Sequence, residues 1–217
     1  MSVDSRVEEE ISLFPIPGSV SLPFTHVPLH IFEPRYRKMI HESVDQKRRI
    51  GVAHTIRTLK ASTVQFWTSE EDRLNLDHET YEAYPIFSAG FARIHQTLLD
   101  GRIIVEIEMD RRYEVKEVLK ELPYQVVRCT PYDDMRDIDA ESNALRDVLE
   151  AKLESIAGEG ADLLKEKIKS VLWKSQTTEQ YSFAIFSLIQ LPPDRMQKIL
   201  EMRSAYTRME FFNGMIR

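Results

Sequence analysis

Residues Leu13 to Tyr36 read L-F-P-I-P-G-S-V-S-L-P-F-T-H-V-P-L-H-I-F-E-P-R-Y, and five of the ten prolines of the chain fall between Pro15 and Pro34. Proline fixes φ and donates no ladder hydrogen bond, so it belongs at strand ends, edges and corners. Between the prolines, Val27, Leu29 and Ile31 alternate with Pro28, His30 and Phe32, a period of two that marks a strand. At Glu33-Pro34 the spacing changes: Tyr36, Met39, Ile40 and Val44 share one helical face, and a proline at the first helical position is a start signal. The stretch therefore predicts short strands joined by rigid corners, then a helix from Pro34 to about Asp45.

Downstream, the turn Gln46–Arg49 leads into a strand from Ile50 to Ile56, with a shorter candidate at Thr63–Trp67. Between Glu70 and Glu82 the pattern breaks and six acids face one arginine, which reads as a surface excursion. Strand character resumes from Tyr84 to Thr97, with Gly90 marking a bulge or a close backbone approach. Asp100-Gly101 is a hairpin signal, and Ile103, Val105, Ile107 and Met109 form the buried face of the return strand. Tyr113, Val115 and Val118 continue the sheet, and Pro123-Tyr124 restarts it as far as about Tyr132. Short antiparallel strands with turn chemistry between them point to a small barrel or closed sheet.

Beyond the acidic connector Asp133–Asp137 the period becomes helical. Asp139 is placed to cap a helix whose face is Leu145, Val148, Leu149, Leu153 and Ile156, stopped by Gly158 and Gly160. Leu163, Leu164, Ile168, Val171 and Leu172 predict a second helix ending near Trp173. Thr177 or Thr178 caps a third, apolar nearly all round, which reads as the centre of a bundle. Pro192-Pro193 starts a fourth, and Tyr206, Met209, Phe212 and Met215 belong to a last one with Asn213-Gly214 as a stop. The fold class is thus α+β: an antiparallel β-barrel-like lobe over residues 1–135, with one helix at about 34–45, followed by an all-helical lobe over 136–217.

Several of these residues carry a resemblance. Phe14-Pro15, Pro23 and Pro28-Leu29-His30-Ile31-Phe32-Glu33-Pro34-Arg35-Tyr36 resemble the opening of the Lon-protease N-terminal domain family, in particular its stand-alone bacterial members. Gly90-Phe91-Ala92-Arg93-Ile94, Asp100-Gly101 and Arg111-Arg112-Tyr113-Glu114-Val115 are similar to the strand, turn and return strand of that family. Ile86-Phe87-Ser88-Ala89 departs from the Gly-Thr-Val-like run of many relatives. The resemblance implies a PUA-like β lobe, a helical lobe and a role in recognising polypeptide substrates.

Composition sets outer limits. The 217 residues are 42% hydrophobic and 29% charged, an ordinary globular balance, and no apolar run approaches the roughly 18 residues needed to span a bilayer. The polar, acidic opening M-S-V-D-S-R-V-E-E-E lacks a secretory pattern, and the single Cys129 cannot form an internal disulfide, so a cytoplasmic location is expected. Net charge is −6, and neither lobe is basic, with 17 basic against 22 acidic side chains up to residue 135 and 12 against 13 beyond it. A nucleic-acid partner needs the opposite balance.

The search for chemistry is negative. There is no Gly-Lys dipeptide and hence no phosphate loop of the G-x-x-x-x-G-K-[ST] kind, and Lys174-Ser175 is a bare dipeptide at a helix end. The Ser-Lys dyad of full-length Lon belongs to a separate domain. His26 and His30 are about 13 Å apart at about 3.3 Å per residue if the segment is a strand, too far to share a metal ion. His54 and His95 fall in strands, and Cys129, although next to Arg128, has no base placed beside it. No catalytic, metal or cofactor-binding residue is assigned.

What remains is a surface for a partner. His30, Phe32, Glu33, Arg35 and Tyr36 concentrate aromatic, charged and hydrogen-bonding groups at the strand-to-helix corner. The architectural alternative makes Phe32 and Tyr36 core residues and has Glu33 cap the helix and pair with Arg35 or Arg37. A second candidate is an apolar surface with Trp173, Phe183, Phe186 and Phe211, whose alternative is a bundle core. The expected function is non-catalytic recognition of polypeptide substrates or a protein partner, as a selector or adaptor in protein quality control, with no membrane partner. The competing readings are a PUA-like nucleic-acid binder and a hydrolase with an unrecognised site.

Overall fold

The computed structural model describes residues 7–60, 80–135, 137–156 and 162–216. The predicted strand at Thr63–Trp67, most of the Glu70–Glu82 excursion, and Gly158 and Gly160 lie outside these residues. The chain forms two compact units that divide between Asp133 and Asp134.

In the first unit, β1 (Glu9–Pro15), β2 (Thr25–Ile31), α1 (Pro34–Asp45), β3 (Ile50–Ala53), β4 (Thr55–Lys60), β5 (Thr80–Ala83), β6 (Ile86–Thr97), β7 (Ile103–Lys120) and β8 (Gln125–Pro131) follow in order. Strand order in the main sheet is β2-β7-β6-β3-β1-β8, and β8 pairs back onto β7. β7 makes this closure possible: its first half lies between β2 and β6, and its last residues, from Tyr113 to Lys120, pair with β8. Five strands thus close as a ring, with β2 attached outside it, rather than as the all-antiparallel barrel expected from the sequence. β1 and β3 run parallel, Ser12 to Pro15 facing Ile50 to Ala53. Parallel neighbours need a long crossover, and here β2 and α1 supply it.

The sequence between Ile50 and Ile56 does not form one strand; it breaks at His54 into β3 and β4. β4 pairs with β5 in a separate two-stranded sheet, so Thr80–Ala83 is an ordered strand where the sequence suggested an excursion. Gly90 sits at a register shift, where a Cβ would lie 1.7 Å from the Glu108 carbonyl oxygen. Gly101 turns the β6–β7 hairpin at φ +81°, with Leu98 N–H donating to the Arg102 carbonyl at 2.8 Å.

α1 starts at Pro34 and buries Arg35, Tyr36, Met39, Ile40 and Ser43. Its apolar residues pack with Ile31, Ile50, Val52, Ile103, Val105, Ile107, Met109, Tyr124 and Val126 in one core. Full burial of side chains such as Met39 and Ile40 stabilises by about 1.5–3 kcal/mol each. A second core joins Ile11, Leu13, Ala53, Phe87, Ala89, Tyr113, Val127 and Cys129.

The second unit contains α2 (Asp139–Ile156), α3 (Asp162–Lys169), α4 (Val171–Lys174), α5 (Thr178–Ala184), a 3-10 turn (Ile185–Leu188), α6 (Pro193–Glu201) and α7 (Ala205–Met215). Thr177 and Gln180 form a reciprocal capping box at the start of α5. The predicted second helix is two helices, because Ser170 leaves the helical conformation and caps α4 through the Trp173 N–H. Leu163, Val171 and Leu172, expected to share a buried face, are more than 80% exposed, while Ile168 and Trp173 are buried. α7 continues through Asn213-Gly214 to Met215 rather than stopping there. Among the described residues no helix is long and apolar enough to cross a membrane.

Candidate functional site

The first unit carries a groove of about 610 Å³ built around the strand-to-helix corner. One wall is Phe14 to Pro17, leaving the end of β1; the other is Leu29 to Tyr36, from β2 into α1; Tyr81 of β5 completes it. His30, Phe32, Glu33, Arg35 and Tyr36, the residues singled out in the sequence, all line it. Phe14, Ile16 and Tyr81 join them without having been anticipated. In the sequence Phe14 belongs only to the Phe14-Pro15 pattern, Ile16 has no assigned role, and Tyr81 falls in the stretch that reads as an excursion.

The corner itself dictates where each side chain goes. Glu33 is the helix N-cap residue in extended conformation, but its carboxylate makes no capping bond; it accepts from Arg35 Nε at 2.9 Å instead. The Arg35 guanidinium lies 4.4 Å from the Tyr36 ring centroid and is only 7% exposed. Tyr36 is buried against Phe14, ring centroids 4.3 Å apart, and burial raises its phenol pKa against the opposing pull of Arg35. Phe32 stands apart: it is 64% exposed, so the architectural alternative that places it in the core does not hold for this residue. Tyr36 is both core and groove floor.

The Pro15–Gly18 corner is pinned from behind. Ile16 N–H donates to the Ala53 carbonyl at 2.9 Å, and Gly18 N–H donates to His54 Nδ1 at 3.2 Å. His54 is buried and stacked on Tyr84, so it supports the wall and does not face the groove. A second cleft of about 230 Å³ shares Pro15, Arg35, Tyr36 and Tyr81 with the first and adds Leu13, Leu59 and the Glu121–Gln125 turn.

The other candidates fare differently. Trp173, Phe183 and Phe186 are interior, packed edge-on against Tyr181 and Phe212 in the case of Trp173 and Phe186, and only Phe211 reaches the surface. The proposed aromatic surface is therefore bundle core. Cys129 is fully buried, and burial pushes its thiol up to about 12. The neighbouring Arg128 lies on the opposite strand face, paired with Glu117 at 2.8 Å. His26 Nδ1 and His95 Nε2 approach the same Glu106 oxygen at 3.3 and 3.9 Å, and among the described residues no group of three or more His, Cys, Asp or Glu is placed to hold a metal ion.

Comparison with solved structures gives the same architecture. The crystal structure of a Lon N-terminal domain protein from Xanthomonas campestris superposes with a TM-score of 0.59 at 16% identity, over 96% of this chain and 99% of that one. The N-terminal domain of a Mycobacterium avium complex Lon protease superposes with a TM-score of 0.59 at 11% identity, over 94% and 95%. A comparison with curated proteins found no match. The family described as the ATP-dependent protease La (LON) substrate-binding domain matches residues 10–217. With that match across nearly its whole length, the chain belongs to the Lon substrate-binding domain family.

Proposed function

We propose that the protein is a non-catalytic polypeptide-recognition module, a substrate selector or adaptor in protein quality control, and that it holds its partner in the groove at the β2–α1 corner. The observation that carries this reading is the groove's lining: apolar and aromatic surface from Phe14, Ile16, Phe32, Tyr36 and Tyr81, with the two charges, Glu33 and Arg35, paired to each other. Such a surface favours uncharged, apolar segments of an unfolded or extended chain. Membership of a substrate-binding domain family points the same way. The net charge of −6 opposes a nucleic-acid partner, which requires phosphate-neutralising cations. For a hydrolase, the buried Cys129 with its raised pKa supplies no thiolate at neutral pH.

The test is site-resolved photocrosslinking. With p-benzoylphenylalanine replacing Phe32, reduced and carboxymethylated α-lactalbumin, a permanently unfolded polypeptide, forms adducts. The same label at Phe24, which is 41% exposed and does not line the groove, gives few. Equal adducts at both positions, or a preference for an RNA oligonucleotide at low salt, overturns the reading.

A further inference from the structure

We propose that the groove takes its polypeptide by strand addition: the partner's extended main chain pairs with the free edge of β2 between Leu29 and Ile31. This rests on the reading of the groove as a polypeptide site and specifies how that site recognises its ligand. β2 is the last strand of the main sheet, paired with β7 from Thr25–Met109 to Ile31–Ile103, and among the described residues no strand pairs with its other edge. Leu29, His30 and Ile31 all line the groove although successive side chains of a strand point to opposite faces. A cleft that touches three successive strand residues meets the strand edge-on. No residue of β7 lines it, so the edge in the groove is the one that has no partner strand among the described residues.

Hydrogen-bond accounting identifies the occupant. A polypeptide lying in an apolar groove must satisfy its own N–H and C=O groups, because leaving them buried and unpaired is costly. The groove's charged side chains, Glu33 and Arg35, are engaged with each other. The strand edge offers backbone donors and acceptors instead, and edge pairing is a general mode of peptide capture. Pro28 has no N–H and, on an edge strand, sits with that side away from the ladder, so by the period of two the outward backbone groups in the groove are those of His30, with Phe32 next. Across the groove, β1 pairs with β8 only as far as Leu13–Gln125, and Phe14 and Ile16, beyond that pairing, line the opposite wall where they would flank an added strand. The ligand class is an extended segment, apolar at alternate residues and uncharged at its centre, recognised by main chain more than by sequence.

The probe is a fluorescein-labelled octapeptide of alternating leucine and serine, with two derivatives N-methylated on all leucines or on all serines. With the leucines in the groove and the peptide held in one strand direction, only one set of N–H groups points at β2. One methylated peptide therefore loses at least tenfold in affinity while the other binds as the parent does. Equal affinity in both derivatives, or equal loss in both, overturns strand addition and leaves the groove itself standing, provided that Phe32→Ala weakens the parent peptide. Failure of the parent peptide to bind the intact protein overturns strand addition and the groove reading together. A free protein that sediments as a dimer and dissociates when peptide binds assigns the edge to a second copy and overturns the proposal.

Discussion

The guanidinium of Arg208 is wholly buried and pairs with Asp134, 74 residues away, through both terminal nitrogens. Its Nε donates to Ser182 Oγ at 2.9 Å, Nη1 also donates to the Met202 carbonyl at 2.8 Å, and the cation lies 3.8 Å from the centroid of Phe183. Four of its five N–H donors are engaged, which offsets the cost of burying the charge. The neighbouring connector residues dock on the same unit, Met135 N–H on the Arg203 carbonyl at 2.8 Å and Asp137 accepting from Tyr206 N–H at 3.0 Å. The Asp134→Ala substitution leaves a buried charge unpaired and is expected to destabilise the helical unit by about 3–5 kcal/mol. Adding Arg208→Met to it recovers part of that loss, because the stranded charge goes with it. Urea titrations followed by helical circular dichroism measure both, and a double variant less stable than Asp134→Ala contradicts the account.

The turn after α1 contains a second, opposite opportunity. Lys47 follows the C-cap Gln46 at φ +51°, while its neighbour Arg48 donates to the Ser43 carbonyl at 2.8 Å. That is the left-handed position at which helices usually place glycine, and an L side chain there is strained. Lys47 is exposed, so its side chain contributes little packing. Lys47→Gly is expected to stabilise the first unit by about 0.5–1 kcal/mol and to raise its Tm, read by calorimetry.

Two glycines predict opposite signs for the same substitution. At Gly90 a Cβ meets the Glu108 carbonyl oxygen at 1.7 Å, and backbone in the middle of two paired strands cannot retreat. Gly90→Ala should cost about 3 kcal/mol, the upper part of the range for overpacking. Gly214 lies in α7 with nothing within 4 Å of the added Cβ, so Gly214→Ala should gain about 0.5–1 kcal/mol through helix propensity. Parallel denaturation curves decide the pair, and a neutral Gly90→Ala would mean that β6 and β7 stand further apart than described.

These contrasts show what a reader of the sequence can and cannot see. Leu13 to Tyr36 was legible because its cues are local: prolines fix corners, period-two alternation marks β2, and Pro34 begins α1 within a few residues of that change. The five corner residues were legible as a cluster for the same reason. Tyr81 was not, since it reaches the groove only through the β4–β5 pairing, for which the sequence offers no short-range signal. Nor was Arg208. At its position in α7 an arginine reads as a solvated residue, and Asp134 reads as part of an acidic connector; only tertiary contact over 74 residues makes them a pair. Leu163, Val171 and Leu172 failed in the other direction. Their spacing describes one continuous helix, but α3 buries Ile168 and leaves Leu163 outside, and Ser170 restarts the chain as α4, which buries Trp173 and leaves Val171 and Leu172 outside.

Tyrosine ionisation gives a pH test. Burial is the leading cause that raises the phenols of Tyr36, Tyr113, Tyr124 and Tyr181 above their usual range, Tyr124 to about 12 with the Glu42 carboxylate adding to the shift. A raised pKa in the folded state means that the native protein holds its protons longer than the unfolded chain does. Stability is therefore unaffected below about pH 10 and falls as pH rises from there through the folded pKa values. Absorbance at 295 nm should show Tyr36, Tyr113, Tyr124 and Tyr181 ionising only with alkaline unfolding. Free titration of these four in a protein still folded by circular dichroism would contradict the burial of their rings.

Recognition and architecture are separable at the corner. Phe32 and Tyr36 line the same groove, but one is 64% exposed and the other 5%. Phe32→Ala removes a ring that stands mostly in water, so stability should change by no more than about 0.5 kcal/mol. Polypeptide binding should fall at least tenfold, because the ring is the most exposed aromatic of the corner and loses its contact area only when a ligand covers it. Tyr36→Ala instead empties a site packed by Phe14 and the α1 core and should cost about 3–5 kcal/mol. Measuring binding and unfolding on both variants resolves the two roles. If Phe32→Ala binds unfolded polypeptide as well as the parent does, the exposed aromatic is not part of a recognition surface, and the corner is architecture alone.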